Sequence, residues 1–197
     1  MHTLIVTAHP ETQSLTHAIA AHLAHGINQG DAPHTLEFAH LAQEGFDPRF
    51  SEADLAVHRR QAAAPADVRA EHERIERSDT LVLVFPVYWW SMPALLKGWI
   101  DRVFSNGWAF DYDPQGSFTK KLGRLSVHLV GVAGADASTF ERYGYGAAMK
   151  TQIDLGIFDY SGAKEQVSTL LTDSENCGAS QALHTAQELG RSIGNGV

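Results

Sequence analysis

Apolar and polar positions along the chain resolve into short unbroken apolar runs separated by stretches of helical periodicity. "TLIVTA" (3–8), "DTLVLVFPV" (79–87) and "GRLSVHLVGVA" (123–133) are nearly continuous apolar runs, the pattern of strands covered on both faces. "HTLEFAHL" (34–41) alternates and predicts a less buried strand; "KEQVSTLL" (164–171) predicts a fifth. Helices are expected over about 14–29, from Ser51 onward, and over about 67–77, 92–105 and 141–154, with a last one along "SQALHTAQELGRSI". Ser51 with Asp54 three residues later resembles a capping box. Ser91 is expected to N-cap the helix after the third strand, with Pro93 in its first turn.

Five strands, each followed by helical pattern, argue for one α/β domain: a doubly wound parallel sheet with helices on both faces. Ligands of such sheets bind beyond the carboxyl ends of the strands, where the winding reverses. The loops after the first, third and fourth predicted strands therefore carry the functional expectation.

The loop "HPETQSLTHA" after the first strand has no G-x-G-x-x-G and no G-x-x-x-x-G-K-[ST]. It is polar and opens onto a helix, whose free first-turn N–H groups form a phosphate site. His9, Ser14 and Thr16 can add side-chain donors. A second reading, in which Thr12 or Ser14 simply N-caps the helix, stays open. The loop after the third strand holds Tyr88, Trp89 and Trp90, two of only four tryptophans in the chain, at a strand-to-helix turn. Consecutive side chains there cannot all point inward, so at least one ring should face the crevice; the alternative is packing against "NGWAFDYDPQGSF". Leu95, Leu96, Trp99, Ile100, Val103 and Phe104 form a core stripe, with Lys97 and Asp101 paired on the wet face.

With 197 residues, 44% apolar and 19% charged, the chain has the composition of an ordinary globular domain. A net charge of −8 argues against nucleic-acid partners. The single cysteine, Cys177, allows no internal disulfide and fits a free thiol; with no signal pattern and no membrane-length apolar run, a cytoplasmic location is expected. Eleven histidines, including His22, His25, His58 and His72, show no metal-ligand spacing, so no metal is expected. G-x-S-x-G is missing too, which leaves a serine-hydrolase reading without a nucleophile.

"LIVTAHPETQSLT" and "SDTLVLVFPVYWWSMPALLKGWIDRVFSNGWAFDYDPQG" together resemble the NAD(P)H:quinone oxidoreductase branch of the flavodoxin-like fold, which includes quinone reductases, general-stress oxidoreductases and ancillary subunits of potassium-efflux antiporters. The resemblance implies the sheet order 2-1-3-4-5, a bound flavin (FMN or FAD), NAD(P)H as donor and a quinone-like acceptor. It puts the flavin phosphate near His9, Ser14, Leu15 and Thr16. The ring would lie against Pro86, Val87, Tyr88, Trp89 and Trp90, with Gly131, Val132, Ala133 and Gly134 on the other side. "GVAGAD" departs from the family's Thr-Thr-Gly-Gly and lacks its hydroxyls. A family tyrosine and histidine fall near Phe140 and Gly146, so the catalytic residue is open, with Tyr143 and Tyr145 as neighbouring candidates. Trp108, Phe110 and Tyr112 are the expected aromatic wall of the substrate slot, and a homodimer with its site at the interface is implied. Two rivals remain: a one-electron carrier, whose T-x-T-G-x-T phosphate loop is absent here, and a regulatory flavoprotein bound to a transporter.

Overall fold

Among the described residues seven strands form in chain order: β1 (His2–Thr7), β2 (Thr35–His40), β3 (Thr80–Pro86), β4 (Phe110–Tyr112), β5 (Phe118–Lys120), β6 (Ser126–Val132) and β7 (Lys164–Leu171). In the computed structural model, which describes residues 1–31, 33–113, 115–175 and 178–196, five of them make one parallel sheet ordered β2-β1-β3-β6-β7. This is the doubly wound order expected, with β6 and β7 as the fourth and fifth predicted strands. Cys177 lies outside the described residues. β4 and β5 form a separate antiparallel hairpin, which the apolar pattern does not predict because both strands are short and carry polar side chains.

The helices are α1 (Leu15–Ile27), α2 (Glu52–His58), α3 (Ala66–Arg77), α4 (Ala94–Val103), α5 (Ala137–Tyr143), α6 (Tyr145–Met149) and α7 (Gly178–Gly194). Alternate residues of the central strands feed two cores. Leu4, Val6, Leu81, Leu83, Phe85, Val127 and Leu129 face α3 and α4 through Ile75, Leu96, Trp99 and Val103. Ile5, Val82, Val84, Val130 and Val132 face α1 and α7 through Ile19, Leu23, Ile27, Ala182 and Ala186. Trp99 is fully buried, and its indole N–H donates to Glu71 at 2.9 Å.

Three expectations change. Ser91 does not cap α4: Pro93 occupies the N-cap with no side-chain bond, while Ser91 is committed to Tyr88. The helix expected over 141–154 is broken at Gly144 (φ 70°), which ends α5 and begins α6. It then continues past 154 as a π-helical segment, Lys150–Asp159. Within it a Cβ on Gly156 would stand 3.2 Å from the Thr151 carbonyl, five residues back. The Ser51–Asp54 capping box is present. It is locked to α4 by the buried Arg102, which donates to Asp54 (3.1 Å), Asp67 (2.6 Å) and the Asp47 carbonyl (2.8 Å). Lys97 and Asp101 make the exposed 2.6 Å pair, worth little in water.

α1 and α7 approach so closely that only glycine fits the contact. A Cβ on Gly190 would lie 2.1 Å from the Leu23 carbonyl, and one on Gly26 2.1 Å from that of Gln187. Gly190→Ala should therefore separate the helices and cost roughly 1–3 kcal/mol or more, read as a lower urea midpoint.

His128 on β6 is buried with no partner for Nδ1, and burial pushes its pKa down to about 4. Burial also lowers His72, whose ring bonds the Val103 carbonyl at 2.8 Å. Both are depressed below the unfolded value, so the unfolded chain binds more protons in between. The stabilisation is complete above about pH 6.5 and is lost as pH falls toward the folded value. For His128 the loss approaches roughly 3 kcal/mol. A His128→Leu chain should lose less stability than the parent between pH 7 and pH 4 in urea titrations.

Candidate functional site

Parallel pairing of β1 with β3 (Thr7 opposite Val84, Ala8 N–H to the Val84 carbonyl at 3.4 Å) sets the exits of these strands side by side. At the β1 exit, Ser14 N-caps α1, its Oγ accepting the His17 N–H. Ala18 N–H returns to the Ser14 carbonyl. The N–H groups of Leu15 and Thr16 have no acceptor among the described residues. Capping and anion binding are thus compatible: the cap uses one first-turn donor and leaves two for a ligand. His9 stands at the loop entrance, its Nδ1 accepting from Glu11 N–H at 3.1 Å. The Thr16 side chain is buried and Leu15 packs on the α1–α7 core, so these two residues offer backbone rather than side chain.

At the β3 exit the chain turns through Trp89 (φ 48°) and Trp90 (φ 62°), two consecutive left-handed residues without glycine. Tyr88 and Ser91 exchange both backbone bonds, each at 3.1 Å, which closes a two-residue turn of the kind that normally takes Asn-Gly. Each left-handed tryptophan costs about 1–3 kcal/mol, and such strain gathers at functional sites. The two rings part company. Trp90 turns inward, stacked on Tyr145 (3.9 Å between centroids, 11°) and edge-on to Phe140. Trp89 is 93% exposed and faces open space. Neither ring has a stacking partner in the "NGWAFDYDPQGSF" loop. The Trp89 and Trp90 N–H groups have no acceptor among the described residues.

Opposite the turn, Ala133 and Gly134 follow β6. With Val87, Trp89, Trp90, Ala135, Phe140 and Glu175 they line a cleft of about 260 Å³. Gly134 leaves room for Glu175, whose carboxyl carbon would be 2.9 Å from an added Cβ. Gly131 and Val132 stand behind the cleft: Gly131 lies against Val87 and Leu170, and Val132 accepts the Val87 N–H at 2.8 Å while its side chain enters the α1–α7 core. Pro86 is the buried last residue of β3 and Tyr88 is half exposed. Of the two candidate tyrosines, Tyr145 stands against Trp90, whereas Tyr143 stacks behind it on Tyr145 at 5.5 Å.

The other predicted aromatics lie elsewhere within the chain. Trp108 stacks on His72 (4.1 Å, 8°) and donates to Glu76 at 2.8 Å, which makes it part of the α3 scaffold. Phe110 clusters with His58, Phe118 and Tyr160 beside a second cavity, and Tyr112 is half exposed at the end of the same hairpin. None of the three lines the Trp89–Trp90 cleft. Sequence reasoning missed Ala135 and Glu175, and also His17 and His40, which crowd the β1 exit around Thr7 and Ser14. His17 sits three residues after the cap, the one positional signal that could have found it. Among the described residues no cluster of His, Cys, Asp and Glu is placed to hold a metal ion, and no helix is long and apolar enough to cross a membrane.

The chain matches a known family over residues 1–192, described as the flavodoxin-like fold. It is 28% identical over 174 residues to an uncharacterized NAD(P)H oxidoreductase of Haemophilus influenzae, covering 88% of this chain and 84% of that one. It is 30% identical over 150 residues to the human ribosyldihydronicotinamide dehydrogenase [quinone], covering 66% of this chain and spanning 64% of the human one. Among solved structures it superposes on an NAD(P)H:quinone oxidoreductase from Methanothermobacter marburgensis with a TM-score of 0.89, 27% identity and 98% coverage of both chains. General stress protein 14 of Treponema denticola, solved with FMN, superposes with a TM-score of 0.61 at 27% identity over 98% of this chain and 95% of that one.

The turn geometry makes a stability prediction independent of any ligand. Trp89 buries almost nothing and holds a left-handed conformation that asparagine tolerates. Trp89→Asn should raise stability by on the order of 1 kcal/mol, measured as a higher melting temperature.

Proposed function

Since the chain belongs to the flavodoxin-like fold family, in its NAD(P)H:quinone oxidoreductase branch, we propose that it binds a flavin between the α1 N-terminus and the Trp89–Trp90 turn. There it would oxidise NAD(P)H and reduce a quinone or similar flat acceptor. The observation that carries this reading is the pairing, across the β1–β3 boundary, of two unoccupied first-turn N–H donors with an exposed indole and two unpaired turn amides. A phosphate suits the first, because N–H groups and dipole both favour an anion. A flat heteroaromatic edge with acceptor atoms suits the second. The residues present fit the group: Ala133 and Gly134 keep the far wall low, and Trp89 offers a free face. FMN in the Treponema protein supports the same choice of ligand.

When bound, the flavin supplies the hydride chemistry between donor and acceptor. The chain's part is orientation and polarity. The unpaired Trp89 and Trp90 amides would hold the ring edge and stabilise the negative charge that gathers there on reduction. The Trp89 indole provides a surface for a planar substrate. Tyr145, stacked on the cleft-lining Trp90, is our candidate for proton delivery.

Phe110 and Tyr112 do not line this cleft within the chain. We infer that they serve the slot of a second copy in a homodimer, which explains why Phe110, Phe118 and Tyr160 form an apolar cluster beside an open cavity. The test is direct. The purified chain loaded with FMN should be bleached by NADH or NADPH and recoloured by a quinone in air-free solution. Phe110→Ala should lower kcat/KM for the quinone about three- to tenfold, with bleaching by the donor affected less. A chain that takes up no flavin, or whose flavin is not reduced by either donor, would refute the assignment.

A further inference from the structure

The segment from His9 to Ala18 that forms the anion cradle contains no lysine and no arginine. Imidazoles surround it instead. His17 places Nδ1 3.0 Å from Ser14 Oγ and Nε2 3.4 Å from Thr7 Oγ1. His40, at the end of β2, places Nδ1 2.7 Å from the same Thr7 Oγ1. The rings of His17 and His40 are 5.1 Å apart, and His9 meets His17 edge-on at 6.4 Å. A continuous chain, His40–Thr7–His17–Ser14, therefore runs from β2 to the cap of α1.

Counting protons along this chain defines its states. Thr7 and Ser14 each carry one hydroxyl proton, and each neutral imidazole carries one N–H. With both rings neutral the bonds can run in two directions. In one, Thr7 donates to His40 and accepts from His17 Nε2, so bare Nδ1 of His17 takes the Ser14 proton and the hydroxyl is turned away from the cradle. In the other, His17 Nδ1 carries the proton and Ser14 is free. When His17 is protonated only the second kind of arrangement exists: Nδ1–H donates to Ser14 Oγ, Ser14 Oγ–H is released toward the cradle, and a positive charge stands behind it.

We propose that this relay makes phosphate binding at the α1 N-terminus proton-coupled: a phosphate monoester enters together with one proton on His17, which aims the Ser14 hydroxyl at the ligand. The inference rests on the reading of this loop as the flavin phosphate site and adds how the site is gated. The groups facing the pair are His9 and Glu11 from the β1–α1 loop, and Gln43 and Glu44 from the turn after β2. Behind Glu44, which accepts the His40 N–H at 3.0 Å, Arg74 of α3 holds its carboxylate at 2.6 Å and keeps it below the usual range. With the cradle empty, burial and the adjacent His40 hold His17 below its ordinary value, so it is neutral near pH 7. A dianion alongside favours the charged ring.

The test is calorimetric titration of the flavin-free 197-residue chain with FMN and with riboflavin, in buffers of different ionisation enthalpy between about pH 7 and pH 8, where the free phosphate is already doubly charged. FMN should bind with uptake of about one proton, and its affinity should fall by up to about tenfold per pH unit. Riboflavin should bind with none. His17→Gln should abolish most of the uptake and flatten the pH dependence. FMN binding without proton uptake, or equal uptake with riboflavin, overturns the relay and leaves the flavin assignment intact. Binding of neither flavin overturns both.

Discussion

The candidate site depends on one backbone constraint, the parallel pairing of β1 with β3. Neither strand exit is a site alone. β1 delivers a helix N-terminus with two free donors, and β3 delivers a turn with two left-handed tryptophans. The ladder from Thr3–Thr80 to Thr7–Val84 fixes their separation. Because both strands are buried on both faces, a one-residue slip would exchange every side chain between two differently shaped cores. The register is therefore held by the whole interior, and the geometry of the mouth inherits that rigidity.

Strain and burial are distributed unevenly around that mouth. The β3 turn keeps an unfavourable conformation with its ring in water, a choice that makes sense for ligand contact and none for stability. Histidines are kept neutral by burial on both sides of the sheet, with His72 under Trp108 and His17 beside the cap. The fold thus carries groups whose protonation is suppressed by packing, and near the cradle an incoming negative charge would reverse that suppression.

The strands were legible because they are long apolar runs, and their alternation with helices made the parallel, doubly wound sheet legible, whereas the strand order came from the family resemblance. Candidate residues could be named where the chemistry is local: His9, Ser14 and Thr16 lie in one polar loop and Trp89–Trp90 at a strand exit, with Leu15 added by the resemblance. What could not be read depends on contacts between distant segments. His40 reaches Thr7 only because β2 pairs with β1. Glu175 reaches the cleft only from beyond β7. Trp108 looked like a pocket wall by proximity to Phe110, but its partner is His72 on α3, separated from it along the chain by β3 and α4. The π-helical segment was hidden because its composition matches an ordinary helix; Gly144, a helix-ending residue by chemistry, was the missed boundary signal.

The glycine contact between α1 and α7 links distant parts of the chain, as the Asp31 N–H to Asn195 Oδ1 bond, 164 residues apart, also shows. Helices locked backbone to backbone behave as one cooperative unit in hydrogen exchange. A ligand held at the first turn of α1 would slow amide exchange along α7 through that glycine contact. The protection pattern of the partner helix would thus report occupancy at the mouth.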